Sequence, residues 1–290
     1  MATLPSKKVS VVVPNYNYAR YIGKRIDSIV RQTYPIYELI ILDDASTDES
    51  VEVIEKKLVE IRAKYPELKV QFVRNDKNSG KAIAAWKKGW GLATGDYIWI
   101  AEADDLCNRR FLDEVMKGFD DPEVVLSYAE SMLINGVGLV MAPNFRWSRD
   151  KEKTGHYKKS YVKDGRQEIE EIMAIRCTIP NVSAVVMRKK EIFLNYLEEA
   201  LQFGQVGDWY FYMKVLENGK ISYNRKALNK FRVHSDSKTG QAKKDRRHHQ
   251  EILDMHKMFA IRYNLTKSVV KSMKMEELRV GQRMERSNHK

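Results

Sequence analysis

Cysteine is nearly missing from the 290-residue chain, which holds only Cys107 and Cys177. Two cysteines build no disulfide framework, and neither has a partner at metal-site spacing, so stability has to come from a packed core in a reducing compartment. Long apolar runs are also lacking: no stretch of 18 apolar residues occurs, so no transmembrane helix is expected. The opening "MATLPSKKVS" has no apolar segment of the signal-peptide kind. A cytoplasmic location is expected, with peripheral attachment to the inner face of the membrane as the alternative. Glycine-rich phosphate cradles are missing too. "PNYNYARY" stands where a G-x-G-x-x-G would follow the first strand, and no P-loop pattern occurs. A bound nucleotide would need another kind of pocket. There is no internal repeat and no low-complexity segment.

What is present is ordinary in amount and uneven in place. Apolar residues make up 43% and charged residues 31% of the chain, the balance of a globular protein. The net charge of +12 is concentrated at one end: residues 223–290 hold 18 Lys and Arg against 7 Asp and Glu, and the rest is close to neutral. Such a tail suits a polyanionic surface, and it also suits a solvated helix with no partner. Its basic residues are not interleaved with aromatics, which argues against a nucleic-acid stacking platform.

The first 130 residues alternate between two periods. "VSVVVP" (9–14), "ELIILDD" (38–44), "KVQFVRN" (69–75), "DYIWIAEADD" (96–105) and "EVVLSYAE" (123–130) read as strands. Between them, Tyr21, Ile22, Ile26 and Ile29, then Val51, Ile54, Leu58 and Ile61, recur at helical spacing, and 81–93 reads as a further helix. Alternating βαβα with buried strands predicts an α/β fold, a mostly parallel, twisted, Rossmann-like sheet with helices on both faces. Later, helices are expected at 165–176, 189–202 and 208–217, a strand at 182–188, two short strands in "ISYN" and "ALNKFRVH", and turns over 134–155. A basic helical extension is expected after residue 240. The expected division is a nucleotide-binding half at 1–130, an acceptor-side half of the same domain at 131–240, and the extension at 241–290.

Two strand ends carry paired acids. Asp43 and Asp44 close the second strand; Glu102, Asp104 and Asp105 follow the fourth. In open α/β sheets the carboxyl ends of the strands face the ligand crevice. Like charges a few ångströms apart repel by roughly a few kcal/mol at an effective dielectric near 20, so a cation is called for. Clustered oxygen ligands without cysteine suit Mg²⁺ or Mn²⁺, which usually pair one or two carboxylates with substrate phosphates.

In order and spacing, "VSVVVPNYN", "SIVRQTYPIYELIILDDASTDES", "NSGKAIAAWKKGWGLATGDYIWIAEADD", "VSAVVMRKKEIF", "GDWYFYMKVLENGKISYN" and "FRVHSDS" span residues 9–237. Together they resemble the inverting family 2 glycosyltransferases of the GT-A fold. The resemblance implies a transferase that moves a sugar from a UDP- or dTDP-type donor to a glycan or lipid-linked glycan acceptor, as in surface polysaccharide synthesis. It places Pro14, Tyr16, Asn17, Asp43, Asp44, Asn78, Gly80, Lys81 and Asp104 on the donor nucleotide, and Asp104, Asp105 and His234 on the metal. Asp208, in "GDW", matches the catalytic base, and Trp209 and Tyr210 beside it are placed to stack on an acceptor sugar. The sequence departs from the family at Glu102, commonly Asp, at Gly207, commonly Glu, and at "AWKK" (85–88), often Arg-Asn. Trp147 is a candidate lid residue.

In chemical terms, a diphosphate leaving group can be stabilised by a divalent cation in place of a general acid, so one carboxylate base suffices for an in-line displacement. Two other readings compete: a sugar-phosphate nucleotidyltransferase, which normally needs the missing glycine-rich loop, and a non-catalytic sugar-nucleotide binder.

Overall fold

The protein is described by a computed structural model over residues 7–146, 155–234 and 246–288. The first apolar run forms β1 (Val9–Asn15), buried along its whole length. Successive side chains point to opposite faces: Val9, Val11 and Val13 enter one core and Val12 the other. Strand β2 (Glu38–Asp43) lies parallel to β1, β3 (Lys69–Arg74) parallel to β2, and β4 (Tyr97–Ile100) parallel to β1 on its other side. The connecting helices are α1 (Ala19–Val30), α2 (Ser50–Lys64) and α3 (Ala82–Leu92). The apolar stripes of α1 and α2, with Ile22, Ile26, Ile54 and Leu58, cover one face. Trp86 and Trp90 of α3 cover the other.

Beyond β4 come β5 (Leu106–Cys107), α4 (Phe111–Met116), β6 (Val124–Asn135), β7 (Val140–Ala142), β8 (Tyr161–Asp164), α5 (Gly165–Glu168), β9 (Val185–Arg188), α6 (Ile192–Ala200), α7 (Gly207–Leu216) and β10 (Lys220–Val233). The sheet order is β3-β2-β1-β4-β9-β6-β10-β5, with β7 on β6 and β8 on β10. Strand β9 is antiparallel to both β4 and β6, so β6 runs the same way as β4, and β10 is parallel to β6. The expected pair of short strands is one 14-residue strand, β10, with register shifts around Asn224 and Ala227 that bend it. The expected 165–176 helix is a single turn followed by a π-helical stretch, Ile169–Met173. Within the expected turns, 140–142 form β7, and Trp147 lies outside the described residues.

The basic extension forms α8 (Arg246–Arg262) and α9 (Lys267–Asn288). Ile252, Met255, Phe259, Val269 and Met273 join the same core as α7. Among the described residues no helix is long and apolar enough to cross a membrane.

Register fixes where a ligand can sit. Asn15 lies opposite Asp43, and Val12 opposite Ile100. The loops leaving β1, β2 and β4 therefore open along one edge. There the chain crosses from β1 to β2 on one side and reaches β4 on the other, the switch point of a doubly wound sheet.

Close packing of α3 on this sheet generates a test. An added Cβ at Gly89 would lie 2.2 Å from Val12 Cγ1, whereas at Gly91 nothing lies within 4 Å. Gly89→Ala is expected to destabilise by about 1–3 kcal/mol through overpacking. Gly91→Ala is expected to stabilise by about 0.4–1 kcal/mol through the unfolded chain. Urea midpoints of the two variants should move in opposite directions.

Candidate active site

A cavity of about 550 Å³ opens at that edge. The β1 loop supplies Pro14, Asn15, Tyr16, Asn17 and Tyr18; the start of α3 and the loop before it supply Asn78, Gly80 and Lys81. Asp44, Glu102, Asp104, Asp105, Asn181 and Asp208 complete much of the wall. Two non-glycine residues in the left-handed region, Asn17 (φ 56°) and Ala45 (φ 61°), turn the loops after β1 and β2 sharply. Asn17 is held there by accepting from Thr47 N at 2.8 Å.

The acid doublets divide. Asp43 does not line the cavity, contrary to the donor contact expected of it. Its buried carboxylate accepts from Asn15 Nδ2 at 2.8 Å, from Ser46 N at 3.0 Å and from Ser46 Oγ at 2.6 Å, tying the first two loops together. Asp44 does line it, and accepts from Asn75 Nδ2 at 2.6 Å, Ser79 N at 3.0 Å and Ser79 Oγ at 2.8 Å. Asn78 Nδ2 donates to the Asp44 carbonyl at 3.1 Å. Asp44 thus also anchors the 75–80 loop. Lys81 reaches across to donate to the Leu201 carbonyl at the end of α6.

Asp104 faces the cavity, and its Oδ2 lies 3.1 Å from His234 Nε2. His234 does not appear in the cavity wall itself; it packs beside it against the rings of Tyr18 and Tyr21. Asp105 is only 2% exposed. Its Oδ1 accepts from Arg232 N at 2.8 Å and its Oδ2 from Asn181 Nδ2 at 2.7 Å. Burial, then the neighbouring Asp104, pushes the Asp105 carboxyl up to about 7, against the pull of Arg25. Arg25 is a fully buried cation from α1 whose guanidinium lies 5.0 Å from the Trp99 ring centroid. Arg232 Nε donates to the Asp104 carbonyl at 2.6 Å and fixes that residue's backbone. Of the three expected metal ligands, then, Asp104 and His234 stand together, and Asp105 is committed to holding the frame behind them.

Asp208 occupies the first turn of α7 on the cavity wall, and its Oδ1 accepts from Trp209 N at 2.7 Å. The two aromatic residues after it are more buried than the sequence reading expects. Trp209 is 4% exposed, donates from Nε1 to the Met173 carbonyl at 3.0 Å and packs its ring 5.4 Å from Phe259 of α8. Tyr210 is buried against Phe203, with its hydroxyl donating to Glu199 at 2.5 Å. Both belong to the core, although the edge of Trp209 reaches a smaller cavity of about 220 Å³ that shares Asp208 and Pro180 with the large one. Glu102 accepts from Trp86 Nε1 at 2.6 Å, so the indole sets the carboxylate at the cavity wall.

The sequence reading passed over Arg25, Asn181 and Arg232. Two had a signal. Arg25 interrupts the apolar stripe between Ile22 and Ile29, and Arg232 stands two residues before His234, near the end of β10. Asn181 lies in an irregular segment and carries no comparable signal.

Residues 10–174 match the family described as Glycosyl transferase family 2. The chain belongs to that family. The poly(ribitol-phosphate) beta-N-acetylglucosaminyltransferase TarP of Staphylococcus aureus is 35% identical over 113 residues, 38% of this chain and 32% of that protein. The chain matches well under half the length of the curated relatives it resembles. Among solved structures, S. aureus TarS 1–349 in complex with UDP-GlcNAc superposes with a TM-score of 0.65 at 19% identity, covering 93% of this chain and 72% of that one. The mannosyltransferase PcManGT of Pyrobaculum calidifontis, in complex with GDP-Man and Mn²⁺, gives 0.59 at 21%, covering 94% and 69%. These likenesses establish the GT-A fold for this family 2 chain.

The burial of Trp209 has a measurable consequence. Trp209→Phe keeps a ring but leaves the Met173 carbonyl without its donor, so it should destabilise by about 1–3 kcal/mol in urea titration. Unchanged stability would place the indole at a surface instead.

Proposed function

We propose that the protein is a metal-dependent, inverting glycosyltransferase that moves a sugar from a nucleotide diphosphate to the hydroxyl of a glycan or lipid-linked glycan. The observation that carries this is convergence: Asp44, Asp104 and Asp208, from three separate parts of the chain, line one cavity at the switch point of the sheet. Family membership supports the reaction class. The donor nucleotide would lie over the β1 loop, with Tyr16, Asn17 and Pro14 along base and ribose, and Asn78, Gly80 and Lys81 on the far side. Asn75 and Ser79 orient the Asp44 carboxylate toward an imide N–H such as that of uracil or thymine. TarS in complex with UDP-GlcNAc supports a UDP-sugar, whereas PcManGT holds GDP-Man; the base is decided by assay.

The donor set fits a divalent cation. One carboxylate and one imidazole stand 3.1 Å apart. Among the described residues no group of three or more His, Cys, Asp or Glu side chains converges as a metal site. A pair of protein ligands completed by diphosphate oxygens is the habit of Mg²⁺ and Mn²⁺. Asp104 and His234 would hold it, with Asp105 and Arg232 fixing Asp104. When bound, the cation supplies charge stabilisation to the departing diphosphate.

Asp208 accepts the proton of the acceptor hydroxyl as that oxygen attacks the anomeric carbon from the face opposite the diphosphate. Its place at the N-terminus of α7 favours the ionised form. Glu102, fixed by Trp86, lines the same wall. The smaller cavity beyond Asp208 and Pro180 gives the acceptor room on the far side of the base. Exposed Lys267, Lys271 and Lys274 on one stripe of α9 suit an anionic membrane, where a lipid-linked acceptor would be presented.

Binding and chemistry separate in one experiment. Asp208→Asn keeps shape and an acceptor oxygen for the Trp209 amide but takes no proton, so transfer should fall about 10²–10⁴-fold. Calorimetric UDP affinity in Mn²⁺ should stay near that of the unaltered protein. Asp104→Ala should abolish the Mn²⁺ dependence of UDP binding. Near-normal transfer by Asp208→Asn would move the base elsewhere, with Glu102 the next carboxylate to test. Equal UDP affinity in EDTA would remove the metal.

A further inference from the structure

The segment 175–181 walls three cavities in turn. The donor cavity meets the cavity of about 220 Å³ at Pro180 and Asp208, and that cavity meets a third, of about 420 Å³, at Ile175 and Arg176. The wall is fixed at both ends and in the middle. Asn181 Nδ2 donates to Asp105 at 2.7 Å, the Thr178 carbonyl accepts from the Tyr157 hydroxyl at 3.3 Å, and the Ile175 carbonyl lies 3.1 Å from His256 Nε2 on α8. A single track therefore leads from Asp208 to the C-terminal helices.

The third cavity is of ligand size, and α9 supplies one side of it. Ser268, Ser272, Met275 and Arg279 recur at helical spacing and face Tyr157 and Ile172. Hydroxyls set among apolar groups suit a sugar or polyol chain. Charge narrows the class further. Glu171 is held by Lys163 at 2.8 Å, Glu276 by Arg176 at 3.2 Å and by Arg279 at 3.4 Å, and Glu277 stands 2.8 Å from His256. Lys267, Lys271 and Lys274 occupy the next stripe of α9, about 100° round from Ser268, Ser272 and Met275. They are exposed and make no ion pair among the described residues. The nearby carboxylates have cationic partners and these three ammonium groups have no anionic one, so the rim of the track is positive.

We propose that this track is the acceptor site, and that the acceptor is a chain of repeated units carrying phosphate or carboxylate groups. Its reacting hydroxyl lies at Asp208, the next unit against Ile175–Pro180, and more distant units between α9 and Tyr157, with acidic groups toward the lysine rim. A bilayer surface is flat and cannot follow the cavities inward, so continuity with Asp208 favours a chain. The proposal rests on the glycosyltransferase reading for the hydroxyl at Asp208. Its test reads oligomer binding; the glycosyltransferase reading fails separately, if UDP has no affinity in Mn²⁺.

Labelled oligomers of glycerol phosphate, of galacturonate and of dextran, matched in length, would be titrated by fluorescence anisotropy against the full chain with UDP and Mn²⁺ present. One acidic oligomer should bind at least about tenfold more tightly than dextran, and the tighter of the two names phosphate or carboxylate. Lys267→Ser, Lys271→Ser and Lys274→Ser together should weaken it at least about tenfold. Lys56→Ser, Arg62→Ser and Lys64→Ser remove as much exposed charge from α2, on the opposite face of the sheet, and should change it by less than about twofold. Ser272→Trp fills the third cavity without altering charge, so it should weaken the oligomer at least about tenfold and spare UDP affinity. Ser268→Trp, at an exposed position, serves the same end, and circular dichroism melting checks each fold. Cys177, on the middle cavity, should react more slowly with iodoacetamide once the oligomer is bound. The proposal is overturned if neither acidic oligomer binds more tightly than dextran, if the α2 variant loses as much as the α9 variant, if neither tryptophan variant weakens binding, or if the Cys177 rate is unchanged. It is also overturned if phosphatidylglycerol vesicles bind through the three lysines while no soluble oligomer does, which would make the rim a membrane contact.

Discussion

Asp105 closes the loop between β4 and β5, next to Asp104, and its carboxylate gathers parts of the chain that are far apart in sequence. It takes the backbone N–H of Arg232 from β10 and the amide of Asn181 from the segment before β9. From below it feels the charge of Arg25 on α1. Each of these elements carries something the site needs: Arg232 the backbone of Asp104, α1 the tyrosines that pack on His234, and the Asn181 segment the wall beside Asp208. A buried carboxylate is expensive to desolvate. Here paired donors and a buried guanidinium offset part of the expense, with burial still holding the carboxyl above its usual range, and the return is a fixed frame.

The same frame explains why charge accumulates at the strand ends. Among the described residues, the open cavity lined by Asp44, Glu102, Asp104 and Asp208 has little cationic lining beyond Lys81. The two nearby arginines are turned inward, Arg25 onto the Trp99 ring and Arg232 over the Tyr21 ring. The fixed positive charge of these two side chains thus stabilises the back of the site.

The sheet was legible in the sequence because parallel strands buried on both faces read as continuous apolar runs, and the switch point follows from their order. The site was legible at the level of the loop and blurred at the level of the residue. In Asp43–Asp44 and Asp208–Trp209 one member lines the large cavity and its neighbour does not; in Asp104–Asp105 both reach the wall, but Asp105 is held by the Arg232 amide and by Asn181. On a strand, adjacent side chains point to opposite faces; on a helix they are about 100° apart. A doublet at a strand end therefore offers one ligand contact and one structural contact, and sequence alone does not say which is which. Arg25 escaped for a related reason: a helical stripe is read by its apolar members, and a cation buried among them gives no sign of the distant carboxylate it answers. The C-terminal helices hid their role because their charge dominates their composition, although Ile252, Met255 and Phe259 stand at the helical spacing that docks α8.

Strand order carries a consequence for how the molecule comes into being. During synthesis β1 to β4 emerge first and pair with near neighbours in the chain, but the outer edge of β4 waits for β9, and β6 waits for both β9 and β10. Such distant pairings are slow to form because the intervening chain must close a loop before any contact rewards it. In that interval the nascent polypeptide shows an unpaired β4 edge beside a nucleotide-facing crevice that still lacks Asp208 and Arg232. The half that would grip a donor can thus take shape before the half that would act on it, and the chain depends on its last-made strands to close its own sheet against aggregation.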